Sequence, residues 1–134
     1  MSLLLLDTTF LIDAERNAGI LNELIDDDDN VAIAAITVAE LAVGVQLAKP
    51  RQRSKRQAFL DDVVASIPIL PYDEAVAFKH ANLLVAVRRA GRPRGAHDLI
   101  IAATAATAGR TIVSADRRAF DDLPGVVSID HRSA

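Results

Sequence analysis

The chain has 134 residues, 51% of them hydrophobic and 25% charged, with no cysteine and a formal net charge of −3. That composition belongs to a globular chain long enough to bury a core, and it excludes disulfides, thiolate metal sites and a thiol nucleophile. Only His80, His97 and His131 are available as imidazole ligands, so a metal here calls for oxygen donors, which suit Mg²⁺ or Mn²⁺.

Residues 2–6 form a short apolar run, expected as a buried strand. The run is far shorter than a signal core of roughly 7–15 apolar residues or a span of about 20, so a soluble, cytoplasmic chain without membrane attachment is expected. Residues 8–16 and 18–26 read as short helices broken near Asn17 and Gly19, and 31–35 as a second buried strand. Thr37 is expected to open a helix to about Ala48, with Leu41, Val45 and Ala48 on one face. Pro50 interrupts, and 52–65 resume as a helix carrying Phe59, Val63 and Val64. A short strand over 67–70, beside Pro68 and Pro71, suits a sheet edge because proline cannot donate to a ladder.

Asp73 starts a long helix to about Ala90, stopped by Gly91 and Pro93. Another helix runs from about His97 to Ala108 and ends at Gly109. Strands at 111–114 and 126–129 follow, with a short helix around Asp116 to Asp121 between them. No repeat or low-complexity linker divides the sequence, so residues 1–134 are expected to form a single domain. Strands separated by helices point to an α/β fold with a parallel sheet and right-handed crossovers. In such sheets the working site lies beyond the carboxyl ends of the strands.

The negative total hides two basic stretches, Lys49, Arg51, Arg53, Lys55 and Arg56, then Arg88, Arg89, Arg92 and Arg94. Either can attract phosphates, and either can be an ordinary solvated helix end. Aromatic residues make up 4% of the chain, which leaves little for a single-strand stacking platform.

Four acids stand at positions that can face one end of such a sheet. Asp7 closes the first strand, Asp116 follows the segment TIVSA, Asp98 lies in the first turn of its helix, and Glu40 lies near a helix start. Each also has an ordinary role. Asp7 and Asp116 suit helix caps, Asp98 suits the positive end of a helix dipole, and Thr37-Val-Ala-Glu40 fits a capping box. Their conjunction carries the functional argument. Carboxylates gathered at one point repel each other, and either a bound cation or a shared proton relieves that repulsion. A Mg²⁺ held by such a set polarises a phosphoryl oxygen and activates water for in-line displacement. The hydroxyls of Thr8, Thr37 and Ser114 can position a water or a phosphate, or serve as strand-to-helix caps. The sequence lacks a phosphate-binding P-loop, a dinucleotide fingerprint and a G-x-S-x-G elbow.

The segments LLLLDTTFLID, ITVAELAVGV and AHDLIIAATAATAGRTIVSADRRAFDDLPGVV, in this order and spacing, resemble the PIN-domain ribonucleases, and within them the VapC-type toxins of bacterial toxin–antitoxin pairs. The more specific pieces are the E-L-x-x-G run at Glu40–Gly44 and the D-L-I-I-A run at Asp98–Ala102. The resemblance implies a PIN-like parallel β-sheet sandwiched between α-helices, a homodimer, and Mg²⁺- or Mn²⁺-dependent endonucleolytic cleavage of RNA. It also implies a cognate antitoxin that obstructs the metal site in a hetero-oligomer. By motif position the family's acids carry over to Asp7, Glu40, Asp98 and Asp116, and its small hydroxyl residue to Ser114. Ala119 departs from the pattern, since many relatives carry a further acid there, and this leaves fewer ligands for a second metal. Metal-activated water would expel the 3′ oxygen and leave a 5′ phosphate. Two competing readings are a non-catalytic binding module and a phosphohydrolase acting on a small ester.

Overall fold

The computed structural model describes residues 2–17, 19 and 25–130. Five strands, β1 (Leu3–Leu6), β2 (Asn30–Ala34), β3 (Ile69–Leu70), β4 (Thr111–Ser114) and β5 (Ser128–Asp130), form one sheet in the order β3-β2-β1-β4-β5. Every pairing is parallel. The described α-helices are α1 (Thr8–Arg16), α2 (Ala35–Leu47), α3 (Pro50–Ser66), α4 (Glu74–Ala90) and α5 (Ala96–Ala108). The expected α/β architecture, a parallel sheet with helices between its strands, is therefore the observed one.

The four-leucine strand explains the layering. Side chains alternate across a strand, so Leu4 and Leu6 enter one core and Leu5 the other. A sheet covered on both faces needs such continuous apolar runs, and burying each leucine contributes about 2 kcal/mol. On one face α4 and α5 pack through Leu83, Val87, Leu99 and Ile101 against Leu5 and Ile112. On the other, α1, α2 and α3 bring Phe10, Leu41, Val45, Leu60 and Val63 onto Leu4, Leu6, Ile33 and Val113.

Several boundaries differ from expectation for identifiable reasons. The α3 helix starts at Pro50 itself, since proline's missing N–H costs nothing at the first helical position. The final strand lies at Ser128–Asp130 rather than 126–129, paired to Ile112–Ser114. The expected short helix after β4 shrinks to a 3-10 turn over Arg117–Ala119. Of the helix expected over 18–26, residues 18 and 20–24 lie outside the described residues, and Ile25 and Asp26 are irregular. His131 also lies outside the described residues.

The most consequential difference is at α2, which begins at Ala35, two residues before Thr37. Ala34 stands at the N-cap and makes no side-chain cap bond. The expected capping box therefore does not form, and the Glu40 carboxylate is released for other partners.

The order of strands places the site. From the central β1 the chain runs outward to β2 and β3, then crosses to β4 on the other side of β1, so the crevice at the carboxyl ends opens between β1 and β4. Asp7 stands at that edge, its amide bonded to the Val113 carbonyl of β4 at 3.0 Å. Among the described residues no helix is long and apolar enough to cross a membrane.

Candidate active site

Asp7 follows β1 and is 3% exposed, so its carboxylate must be satisfied by the protein. Oδ1 accepts the Thr8 amide at 2.7 Å, the N-cap bond of α1. Oδ2 accepts two hydroxyls, Thr9 Oγ1 at 2.9 Å and Ser114 Oγ at 2.7 Å. Carboxylate oxygens each offer about two lone-pair sites, so Oδ2 is filled while Oδ1 keeps one. The cap and a ligand role coexist in one side chain.

The same hydroxyls fix the neighbouring strand exit. Ser114 Oγ accepts the Asp116 amide at 2.9 Å, and Thr9 Oγ1 accepts the Ala115 amide at 2.9 Å. One hydrogen-bond net thus ties the end of β1 to the end of β4. Asp116 itself is exposed and caps the 3-10 turn, its Oδ1 accepting the Ala119 amide at 3.3 Å. Ala119 is buried in the α4/α5 core beside Phe120, so this position serves packing. Replacing Ser114 with alanine should lower stability by about 2 kcal/mol, because it removes a buried donor to Asp7 and orphans the Asp116 amide. Turnover should fall about tenfold as both acids lose their orientation. A melt lowered by about 6 °C together with slowed turnover checks both parts.

Glu40 is half-buried and receives the Thr8 hydroxyl on Oε1 at 2.9 Å. Its Oε2 lies 3.5 Å from His97 Nδ1. Thr8 Oγ1 is also 3.2 Å from the fully buried Thr37 Oγ1, so Thr37 supports this corner instead of starting the helix.

Asp98 sits in the first turn of α5, after Gly95 at the N-cap. A Cβ added at Gly95 would stand 3.0 Å from Asp98 Oδ2, so the glycine leaves the carboxylate its place. Burial pushes the Asp98 carboxyl up from an ordinary 3.8 to about 6, and the negative charges of Asp7, Asp116 and Glu40 push the same way, while His97 pulls it down. That list of causes is itself structural information. Acids from positions 7, 40 and 116 all lie close enough to Asp98 to resist its ionisation.

The four are neighbours without being tightly clustered. Among the described residues, the only three acids with ligand atoms all within 4.8 Å of one another are Asp26, Asp28 and Asp29. That trio precedes β2 at the opposite edge of the sheet, where Asp29 accepts the Ser2 and Asp26 amides and shapes a turn. The quartet is a looser set of hard oxygen donors, which fits a cation such as Mg²⁺ that keeps part of its water shell.

Thr9 has the geometry of a site residue, donating to Asp7 and accepting the Ala115 amide. Its signal was the DTT run, where the second threonine follows a strand-ending aspartate. In the second basic stretch, Arg92 and Arg94 also have a structural part. Arg92 pairs with Asp122 at 3.2 Å, and Arg94 Nη2 donates to the Asp121 carbonyl at 2.6 Å. These bonds tie the loop before Asp98 to the segment after Asp116.

With this geometry in view, the relatives are informative. A family model for the PIN domain matches residues 4–126. The chain belongs to the PIN-domain family. Ribonuclease VapC5 of Mycobacterium tuberculosis is 35% identical over 126 residues, covering 93% of this chain and 90% of the relative. The tRNA(fMet)-specific endonuclease VapC of Shigella flexneri is 28% identical, covering 94% of this PIN domain and 96% of the relative. Among solved structures, VapBC-5 of Mycobacterium tuberculosis, a member of the VapBC family of toxin–antitoxin systems, superposes with a TM-score of 0.81 at 32% identity, covering 97% of this chain and 99% of that one.

Proposed function

We propose that this PIN domain is the toxin of a type II toxin–antitoxin pair, an endoribonuclease that works with Mg²⁺ or Mn²⁺ held by Asp7, Glu40, Asp98 and Asp116. The single observation that carries the reading is the electrostatic one. Four acids from distant points of the chain lie near one another at the carboxyl edge of a parallel sheet, where burial first, and then the charges of Asp7, Asp116 and Glu40, push the Asp98 carboxyl up to about 6. An RNA phosphate would add to that repulsion, so a cation between them is what makes the crevice usable by this substrate.

When bound, the cation supplies a Lewis acid for the phosphoryl oxygen and lowers the pKa of a water. The chain's own residues do the positioning. Thr8, Thr9 and Ser114 hold the Asp7 carboxylate in one orientation, with a lone pair of Oδ1 left for the site. Ser114 fixes the backbone from which Asp116 projects. Glu40, steadied by Thr8 and flanked by His97, serves as a ligand or orients the attacking water. Cleavage on this reading leaves a 5′ phosphate and a 3′ hydroxyl.

The partners of this reading are an RNA substrate, a cognate antitoxin, and a second copy of the chain in a homodimer that the antitoxin converts to a hetero-oligomer. Support comes from the toxin–antitoxin setting of the VapBC-5 structure and the ribonuclease names of the relatives. An RNA cleavage assay with and without EDTA tests the enzyme. Cleavage should vanish in EDTA, return with Mg²⁺ or Mn²⁺, and be absent in Asp7→Asn. RNA binding with no turnover under any metal would leave a binding module instead.

A further inference from the structure

We propose that the groove between α1, α2 and α3 is a subsite for a nucleotide flanking the scissile phosphate, a proposal that rests on the ribonuclease reading above. The cavity has a volume of about 300 Å³. Glu40 belongs to its wall and also to the acid quartet, so the groove opens directly beside the reacting centre. Its floor is apolar, built from Ile12, Leu41, Phe59 and Leu60. Its rim carries Arg16, Lys55 and Arg56, with Glu15 as the other acid besides Glu40.

This combination matches a nucleotide. The quartet repels an RNA strand, so flanking phosphates need cations next to it. The Arg92 and Arg94 side chains are tied to Asp122 and the Asp121 carbonyl. Among the described residues, neither Arg16 nor Lys55 forms an ion pair, and Arg56 commits Nη1 to the Gly44 carbonyl at 3.3 Å while keeping other donors. The half-buried Phe59 ring offers the floor a face on which a base can lie.

Gly44 supplies the independent argument. It lies one helical turn after Glu40 on the same face of α2 and lines the groove. A Cβ placed there would meet nothing within 4 Å, so packing does not require glycine. Glycine in a helix interior weakens the helix relative to alanine. What its missing side chain provides is open space in the groove.

Two measurements test this. Binding of a fluorescein-labelled mixed-sequence RNA oligonucleotide is followed by anisotropy in an Asp7→Asn background, and cleavage is followed with Mg²⁺ in the otherwise native chain. Gly44→Leu and Lys55→Gln should each weaken RNA binding about tenfold and raise KM by a similar factor. Gly44→Leu should melt no lower than its parent, which separates blocking from unfolding. Lys55→Gln should also reduce the slope of log affinity against log salt by about 1. Phe59→Leu, which keeps an apolar side chain on the floor, should weaken binding about fivefold. Unchanged RNA affinity in Gly44→Leu and Lys55→Gln overturns the subsite, whether or not the parent cleaves. Loss of affinity for a protein partner alone, with RNA binding intact, overturns it too and makes the groove a protein seat. RNA bound through the groove but never cleaved upholds the subsite and sinks the ribonuclease reading.

Discussion

Asp98→Asn should abolish RNA cleavage, by on the order of a thousandfold, while making the metal-free protein more stable. The two effects have one origin. The raised carboxyl means that the fold opposes the Asp98 charge, through burial first and then through Asp7, Asp116 and Glu40. Asparagine keeps the shape and removes the charge. Because Asp98 is only half-buried, solvent screens much of the penalty, and a gain of about 1 kcal/mol is expected at neutral pH. That corresponds to a melting temperature higher by about 3 °C. A variant that loses activity through misfolding would melt lower. Such a result, in place of a rise, would show that Asp98 is needed for folding and that its charge is not the strained element of the site.

The pH dependence of the metal-free protein follows from the same group. Below about 4 both the folded and unfolded chains hold the Asp98 proton, and the group contributes nothing to stability. Between an ordinary 3.8 and about 6 the unfolded chain releases that proton while the folded chain keeps it. The contribution of Asp98 therefore becomes steadily more unfavourable as pH rises through this window, and it levels off above about 6. Chelated wild-type protein should lose about 1 kcal/mol from this source across the window, after discounting for solvent screening, and Asp98→Asn should lack that component. Adding Mn²⁺ should reverse the preference. The cation favours the ionised carboxylate, so its apparent affinity should climb by up to about tenfold per pH unit below 6 and then flatten. Calorimetric titration at several pH values reads this directly. An Mn²⁺ affinity that is flat between pH 4.5 and 6, or equal in wild type and Asp98→Asn, would mean that the ion binds elsewhere, since about pH 6 is where the coupling must end.

Much of the architecture was legible from local signals. A short apolar run reads as a buried strand, and Leu4, Leu5 and Leu6 are buried, while Asp73 followed by helical spacing reads as a capped helix, which its bond to the Val76 amide bears out. Gly91 and Gly109 end their helices in the left-handed conformation that glycine adopts most readily. Local signals misled at Thr37–Glu40. The capping-box pattern is present in the sequence, but α2 runs straight on from β2 at Ala35, and the Thr8 hydroxyl takes up Glu40 instead. The partners of Arg92 and Arg94 were not legible either, because the Asp122 carboxylate and the Asp121 carbonyl that engage them lie about thirty residues further on.

The sequence by itself determined the alternation of strands and helices and the acids at their junctions, because caps, turns and apolar periodicity depend on interactions between residues a few positions apart. Only the tertiary structure decided that Asp7, Glu40, Asp98 and Asp116 share one field, and that Thr9 and Ser114 lock the first of them in place. Those contacts span up to 107 positions of chain and exist only once β4 has paired beside β1. Strand order is set by how two hydrophobic faces are covered at once, a global packing energy that no local stretch of the chain carries.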